Sequence, residues 1–371
     1  MVYKVIGLMS GSSLDGLDIV FAEIHVNGGV WGFEIVAADC YPYDAEWQER
    51  LQQATRLNAL EYQLLHTDYG HYLGQQVNRF IDENNLHYQV ALIASHGHTT
   101  FHMPARKMTA QLGDGAAIAA ETGLPVVSDL RALDVAFGGQ GAPIVPIGEK
   151  LLLKDYDLFL NLGGIANISF NLPDRYIAYD VCPANRVLNM LAHKADKEFD
   201  AGGQMAALGN VKEDLLQKLN ELDYYGQPYP KSLANDFGTD VVYPLIRSYG
   251  YTINDNLRTY VEHIVQQIKE AIRNSIWSFE NNNGATAATR RMLVTGGGAF
   301  NTFLIQRLTE ALQELQVEVV VPDEKLVNYK EALVMALIGV LRWRQAYNVL
   351  SSVTGAERDS IGGAVWIGQE A

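Results

Sequence analysis

Residues 7–18 read GLMSGSSLDGLD and connect VYKVI (2–6) with IVFAEI (19–24), two runs typical of buried β-strands. A plain hairpin turn needs only about two to five residues, with glycine or asparagine at one or two of them. This connection is longer and contains three glycines, three serines and two aspartates. Glycine lets backbone N–H groups approach an anion, and the serine hydroxyls add donors. The stretch therefore predicts a phosphate-binding hairpin, with a long structural hairpin as the alternative.

The same pattern occurs a second time in the chain. Residues 158–170, LFLNLGGIANISF, again place a glycine-rich turn between two apolar runs. Each hairpin is followed by a strand that ends in a polar or glycine turn, ALIASHGHTT at 91–100 and MLVTGGGAFN at 292–301. Segments with apolar residues at a spacing near 3.6, such as 45–81, lie between these parts. The repeated order predicts the α/β class, with a mixed sheet covered by helices present twice.

Composition limits the function classes. The 371 residues allow two domains of about 150 residues each. The chain has 43 acidic and 28 basic residues, and this net charge of −15 disfavours binding to nucleic acid or to anionic membranes. Its two cysteines, Cys40 and Cys182, form no CxxC pair, which favours a reducing compartment. With no leader pattern and no long apolar run, we expect a cytoplasmic protein.

Other glycine and aspartate turns have two readings. Gly296, Gly297 and Gly298 at a strand-to-helix junction would let a flat ligand such as adenosine lie against the backbone. Asp15 and Asp18 are turn residues or magnesium ligands, because Mg²⁺ prefers oxygen donors. Asp114 begins an alanine-rich helix and is a helix cap or a functional carboxylate.

An ordered series of motifs along nearly the whole chain resembles the anhydro-N-acetylmuramic acid kinases. After GLMSGSSLDGLD the series continues with SHG, QLGDG, GGQGAP, GGIAN, PAN, PKS and GGGAFN. The resemblance implies two ribonuclease H-like domains of the actin-like ATPase fold around a central nucleotide cleft. On this basis we expect one domain at 1–130 plus 350–371 and the other at 131–349.

The resemblance also implies a reaction. These kinases use water to open the 1,6-anhydro bridge of an amino sugar and phosphorylate its O6 with ATP, giving N-acetylmuramic acid 6-phosphate. Asp180 in YDVCPAN is then the base that takes a proton from the water. From the sequence alone, Asp180 is equally a cap for the helix that begins near Pro183.

The remaining expected site residues fall into two sets, both implied by the resemblance. The sugar would be bound by His96, Thr99, Asp129, Arg131 and Glu331. ATP would be bound by Gly11, Ser12, Ser13, Leu14, Asp15, Gly16, Leu17, Asp18, Asn161, Gly163, Gly164, Gly296, Gly297 and Gly298. Asp18 is the expected Mg²⁺ ligand, because Met9 stands where related proteins carry an aspartate. Glu331 is alternatively a first-turn acid that favours the helix dipole, and Arg131 a partner of Asp129 or Asp134.

Several positions depart from the family pattern. Cys182 and Ala184 follow Asp180 where the family has glycine, and we expect them to add bulk beside this base. Residues 233–236 read LAND in place of TGRE. His98 replaces the glutamine of SHGQT and is alternatively an ordinary surface histidine. A kinase of a related amino sugar therefore stays open, as does a nucleotide-gated binding protein of the actin or Hsp70 type. A homodimer is an expectation drawn from the family.

Overall fold

A computed structural model describes most of the chain. The described residues are 1–11, 13–172, 176–229, 231–234, 236–283 and 289–368, and of these the side chains of 276–283 are not described. The chain divides into two compact units, of which unit 1 comprises Met1–Lys154 and Tyr329–Ala371 and unit 2 comprises Asp155–Asn328.

Strands and helices alternate along the chain, as the sequence predicts. The strands are β1 (Val2–Ser10), β2 (Gly16–Asn27), β3 (Val30–Pro42), β4 (Leu92–Met103), β5 (Met108–Leu112), β6 (Val126–Ser128), β7 (Leu158–Leu162), β8 (Ile165–Asn171), β9 (Tyr176–Pro183), β10 (Arg290–Thr295), β11 (Val317–Val320) and β12 (Ala364–Trp366). The α-helices are α1 (Ala45–Gln53), α2 (Ala59–Glu83), α3 (Gly115–Thr122), α4 (Ala132–Ala136), α5 (Pro146–Leu152), α6 (Asn185–Ala192), α7 (Gln204–Ala207), α8 (Glu213–Asn220), α9 (Tyr243–Ser248), α10 (Ile253–Asn283), α11 (Thr302–Leu312), α12 (Glu324–Trp343) and α13 (Ser351–Thr354).

The sheets of the two units share one topology. In unit 1, β3, β2 and β1 form an antiparallel meander, β4 pairs parallel with β1, and β6 pairs parallel with β4. In unit 2, β9, β8 and β7 form the same meander, followed by β10 and β11 in parallel. β12 and β5 extend the first sheet only. The predicted repeat is confirmed, and its strand order is that expected of a ribonuclease H-like domain.

The two faces of β1 pack against different helices, and each face requires a different kind of side chain. Ile6 and Leu8 are buried in a core that also contains apolar side chains of α2. Gly7 points to the opposite face, where a Cβ would lie 2.0 Å from the carbonyl oxygen of Ala332 in α12. Side chains alternate across a strand, so one strand packs against a helix on each face. The first glycine of GLMSGSSLDGLD is thus required for packing.

A cap divides the first predicted helical segment. Residues 45–81 have helical spacing throughout, but the structure ends α1 at Gln53 and starts α2 at Ala59. The side chain of Asn58 accepts from the backbone N–H of Glu61, and the Glu61 carboxylate accepts from the N–H of Asn58. This capping box starts a new helix at that point.

The limits of the units differ from the predicted domain boundaries. Residues 131–154 and 329–349 belong to unit 1. Two contacts show why: Arg131 donates to His96, and Lys330 forms a buried ion pair with Glu149, with 2.9 Å between Nζ and Oε1.

Candidate functional site

The first hairpin loop, residues 11–15, connects β1 and β2. Ser12 lies outside the described residues. The Ser13 hydroxyl donates to Oδ1 of Asp15 at 2.6 Å, and the N–H of Gly16 donates to the same oxygen at 3.0 Å. Leu14 has a left-handed backbone, with φ of 58°. Asp15 therefore stabilises the turn, which was one of its two predicted roles.

Two glycines at this hairpin have different reasons to be glycine. A Cβ at Gly16 would lie 2.7 Å from the sulfur of Cys40 and from the carbonyl oxygen of Tyr41, so close packing on β3 requires glycine there. A Cβ at Gly11 would approach only the Ser13 hydroxyl, at 3.4 Å. Leu17 is buried in the core of unit 1. Of these three residues, only Gly11 has a backbone that the packing leaves open to a ligand.

Asp18 lies on β2 between Met9 of β1 and Cys40 of β3. Its pKa is raised to about 6, chiefly by burial; a hydrogen bond from the Cys40 thiol opposes the shift, and the nearby charges of Asp15 and Glu331 add to it. A cation beside Asp18 would relieve the like-charge repulsion. The carboxylate is therefore suited to a divalent ion.

His96 and Arg131 are hydrogen-bonded to each other in unit 1. Nε of Arg131 donates to Nε2 of His96 at 2.8 Å, so that ring nitrogen carries no proton, and Nδ1–H donates to the carbonyl oxygen of Gly97 at 2.8 Å. Burial lowers the pKa of His96 to about 3, and the Arg131 charge acts in the same direction. His96 is consequently a neutral imidazole that orients the guanidinium.

Glu331 connects the two predicted ligand sets electrostatically. Its charge acts on Asp18 and also on Arg131, whose pKa burial lowers to about 10. Because α12 begins at Glu324, Glu331 lies in the third turn of the helix. The first-turn dipole explanation therefore does not apply to it.

The other predicted sugar residues stand on the same unit. Asp129 follows β6 with a left-handed φ of 56° and accepts from the Ser128 hydroxyl at 3.1 Å. A non-glycine residue in this conformation at a strand end is typical of functional sites. Thr99 is exposed on β4 and accepts from Gln111. Asp114, by contrast, accepts from the N–H of Ala116 and caps α3, as its structural reading predicts.

His98 is not the surface histidine that the sequence left open. Its side chain is 6% exposed, and Nδ1 lies 3.0 Å from the hydroxyl of Ser10, the last residue of β1. Burial lowers the pKa of His98.

The second hairpin and the triple glycine come together within unit 2. A Cβ at Gly296 would lie 2.5 Å from the side-chain oxygen of Asn161, and one at Gly298 would lie 2.6 Å from Leu162. Close packing therefore explains these two glycines, and Gly296 also has a left-handed φ of 80°. A Cβ at Gly163, Gly164 or Gly297 would meet no atom nearer than 3.5 Å, 3.8 Å and 3.7 Å respectively.

Asp180 is held from several sides in unit 2. Its Oδ2 accepts from the N–H of Leu233 at 2.9 Å, and its carbonyl accepts from the Tyr224 hydroxyl at 2.6 Å. Burial raises the pKa of Asp180, while Leu233 and the side chain of Asn167 oppose the shift. The helix α6 begins at Asn185 without a side-chain cap. Asp180 therefore does not cap this helix, and its carboxylate is oriented for another role.

Cys182 and Ala184 do not add bulk beside Asp180. Asp180 is opposite Asn167, but Cys182 is opposite Ala166, so Val181 is an extra residue in β9. A bulge of this kind turns the residues on its two sides to opposite faces of the sheet. Cys182 and Ala184 are 0% exposed in the core of unit 2.

Two charged side chains lie next to expected site residues and were not predicted from the sequence. Lys231 donates to the carbonyl of Tyr224 and lies 4.5 Å from the centre of that ring. Arg186 lies beside Gly164, since a Cβ there would be 3.8 Å from its Nε. Lys231 belongs to the PKS motif and Arg186 directly follows the PAN motif, but the sequence alone does not predict these contacts. Pro230 and Asn235 are outside the described residues.

Neither a metal-binding cluster nor a membrane-spanning helix is found in the part of the chain that the structure describes. Among the described residues, no group of three or more His, Cys, Asp or Glu side chains could hold a metal ion. In the same part of the chain, no helix combines the length and apolar character that crossing a membrane requires.

The histidine geometry gives a testable pH behaviour. We expect the ring of His96 to remain neutral from pH 7 to pH 4, because its pKa is lowered from the ordinary 6.5 to about 3. The unfolded chain takes up this proton near pH 6.5 and the folded chain does not, so the contribution of His96 to stability is lost as pH falls from 6.5 towards 3. Ring-nitrogen NMR shifts, assigned by comparison with His96→Gln, measure this, and a midpoint near 6.5 would contradict it.

Comparison with known proteins agrees with these features. The family model for anhydro-N-acetylmuramic acid kinase matches residues 3–368. Kinases of this name from Francisella tularensis subsp. novicida and Gloeobacter violaceus are 33% and 34% identical, covering 97% and 95% of this chain and 97% and 96% of theirs. A solved activator of 2-hydroxyisocaproyl-CoA dehydratase from Clostridium difficile covers 93% of this chain and 96% of its own, with 13% identity and a TM-score of 0.45, too low to support an argument. The chain belongs to the anhydro-N-acetylmuramic acid kinase family.

Proposed function

We propose that this protein is an ATP-dependent kinase that hydrolyses the 1,6-anhydro bond of 1,6-anhydro-N-acetylmuramic acid and phosphorylates O6, as part of peptidoglycan recycling. The family match over residues 3–368 carries the proposal. This chain matches the relatives named as this kinase over nearly their full length, which supports the kinase function over a binding protein without catalysis.

The proposed nucleotide site uses the glycines that packing does not require. Gly11, Gly163, Gly164 and Gly297 have room for a Cβ and are not in the left-handed region. Glycine at such positions lets backbone N–H groups approach phosphate oxygens or a nucleoside. Asn161 and Arg186 would add a polar group and a positive charge beside the second hairpin. The rest of the predicted set, among them Ser13, Leu14 and Gly298, would act through the backbone or by shaping the turns.

Mg²⁺ is part of the proposal, with Asp18 as its protein ligand. Mg²⁺ is commonly held by one or two carboxylates together with substrate phosphates, which fits a site without a cluster of three protein ligands. When bound, the ion would neutralise phosphate charge. Asp18, with Asp15 and Glu331 near it, provides the negative charge for it.

The proposed reaction places a base and a sugar-binding set in named positions. Asp180 takes a proton from water as the water oxygen bonds to the anomeric carbon and the bond from that carbon to O6 breaks. O6 then bonds to the γ-phosphorus, whose bond to the β–γ bridging oxygen breaks. The burial that raises the pKa of Asp180 makes it a stronger base. Arg131, oriented by His96, would bind the sugar together with Glu331, Asp129 and Thr99.

Isotope labelling tests the overall reaction. With ATP, Mg²⁺ and 1,6-anhydro-N-acetylmuramic acid in oxygen-18 water, we expect a sugar 6-phosphate that carries the label at C1, because water supplies the anomeric oxygen. Mass spectrometry of the product measures this. If no phosphorylated sugar forms, the proposed function is wrong, and an unlabelled product would exclude the hydrolytic route.

Replacing the base tests the role of Asp180. We expect Asp180→Asn to lower kcat by about 10²- to 10⁴-fold, the usual contribution of a general base, with ATP binding unchanged. Asp157→Asn is a matched control, because Asp157 also accepts a distant backbone N–H, that of Arg291. Near-normal turnover in Asp180→Asn would show that another group is the base.

Filling the glycine positions tests the nucleotide site. Gly163→Ala and Gly297→Ala should weaken ATP binding about tenfold or more, because a Cβ would exclude phosphate or nucleoside contacts, with little loss of folding stability. Calorimetry and thermal melting measure the two effects. Gly298→Ala provides the contrast, since its Cβ would overlap Leu162 and overpacking destabilises the fold. Unchanged ATP affinity in both of the first two variants would remove these glycines from the site.

A cytoplasmic location and a homodimer complete the proposal. The low cysteine content, two residues without a CxxC pair, supports the first, and family resemblance alone supports the second. Cell fractionation and light scattering of the purified protein test them.

A further inference from the structure

A buried chain of hydrogen bonds lies beneath the first hairpin loop. The Tyr43 hydroxyl donates to Oγ of Ser10 at 2.8 Å, the Tyr69 hydroxyl lies 2.6 Å from that of Tyr43, and Ser10 contacts Nδ1 of His98. All four side chains of this hydrogen-bond chain are buried, with exposed fractions of 3% for Ser10, 4% for Tyr43, 0% for Tyr69 and 6% for His98. The ligand assignments made above do not use it.

Tyr43 contacts both ends of the loop. It follows β3, whose last residue, Pro42, is opposite Gly16 in the sheet. The backbone N–H of Tyr43 donates to the carbonyl of Asp15 at 3.3 Å, at the end where β2 begins. Its hydroxyl reaches Ser10, at the end where β1 stops. One residue thus holds together the two points between which the loop turns.

The direction of the protons along the chain follows from the donors. Tyr43 donates its single hydroxyl proton to Ser10, so the short contact with Tyr69 is made by the Tyr69 proton. Ser10 accepts from Tyr43, and in the tautomer of His98 that carries its proton on Nε2 the Ser10 hydroxyl donates to Nδ1. The order Tyr69, Tyr43, Ser10, His98 therefore satisfies each hydroxyl, and it requires a side-chain acceptor at position 98.

We propose that Tyr43 is a positioning residue for the nucleotide, which fixes loop 11–15 by binding Ser10 and Asp15 at its two ends, with His98 as the acceptor that completes the chain. The inference rests on the proposed function, because the loop is assigned there to ATP. A loop held at both ends keeps its N–H groups aimed before the nucleotide arrives, and less ordering is then lost on binding.

Removing one hydroxyl tests the proposal. Tyr43→Phe keeps the ring and the backbone N–H but removes the donor to Ser10 and the contact with the Tyr69 hydroxyl. We expect the Kd of a non-hydrolysable ATP analogue with Mg²⁺ to rise about tenfold, since an unpaired buried group is costly. The KM for ATP should rise in parallel while the KM for the sugar does not. Isothermal calorimetry and steady-state kinetics on the full chain measure both.

Tyr62→Phe is the matched control. The Tyr62 hydroxyl is also hydrogen-bonded within unit 1, to Thr100, but it does not touch the loop. Its loss should leave nucleotide affinity unchanged. Equal weakening in both variants would mean that any lost tyrosine hydroxyl has the effect, and the proposal would be overturned.

Position 98 supplies a rescue experiment. His98→Gln offers a side-chain oxygen to the Ser10 hydroxyl and should keep nucleotide affinity, whereas His98→Leu removes the acceptor and should weaken binding as Tyr43→Phe does. If leucine and glutamine behave alike, the chain does not position the loop. Should Tyr43→Phe fail to fold in a thermal melt, Ser10→Ala, which removes the same bond between Tyr43 and Ser10 from its other side, decides the question.

Nucleotide binding by the wild-type protein distinguishes a failure of the proposed function from a failure of the positioning role of Tyr43. If it binds no nucleotide analogue, the proposed function fails. If it binds the analogue but Tyr43→Phe binds equally well, only the positioning role is wrong.

Discussion

Each sheet depends on a central strand that is paired on both sides. β1 forms hydrogen bonds with β2 and β4, and β7 does so with β8 and β10. The end of such a strand cannot shift sideways, so the turn that follows it is held by two ladders. In unit 1, close packing adds to this constraint, because Gly7 brings the strand against α12. The two hairpin turns therefore extend from strands that are paired on both sides, a favourable base for ligand-binding loops.

Much of this arrangement is readable from the sequence because it follows local rules. Apolar runs, glycine turns and the spacing of helices are properties of neighbouring residues, and they predicted the repeated hairpins correctly. The limits of the units were not readable, since they depend on contacts between distant positions such as Glu149 with Lys330. The division of the helical segment at Asn58 was visible in principle, because Asn followed three residues later by Glu is a capping signature.

The candidate site shows where sequence reasoning ends. The sequence alone did not distinguish a helix cap from a catalytic base at Asp180. It also did not distinguish a first-turn acid from a sugar ligand at Glu331, because both choices depend on where a helix starts. The structure starts those helices at Asn185 and Glu324, which removes the simpler explanations. The burial of His98 and the contacts of Arg186 and Lys231 are likewise tertiary facts. Glycines that look alike in GGG also divide into positions that packing requires to be glycine and positions that have room for a Cβ only when their neighbours are known.

The bulge in β9 changes how variation next to Asp180 should be interpreted. Because Val181 is the extra residue, Cys182 lies in the interior of unit 2. The residue type at position 182 is therefore constrained by the space that its apolar neighbours leave. Sequence differences at position 182 among relatives are therefore expected to covary with the interior residues of unit 2. The motif YDVCPAN thus combines a residue of the candidate site, Asp180, with a residue of the interior, Cys182. A similarity score over the whole motif would count changes in interior packing as changes in function.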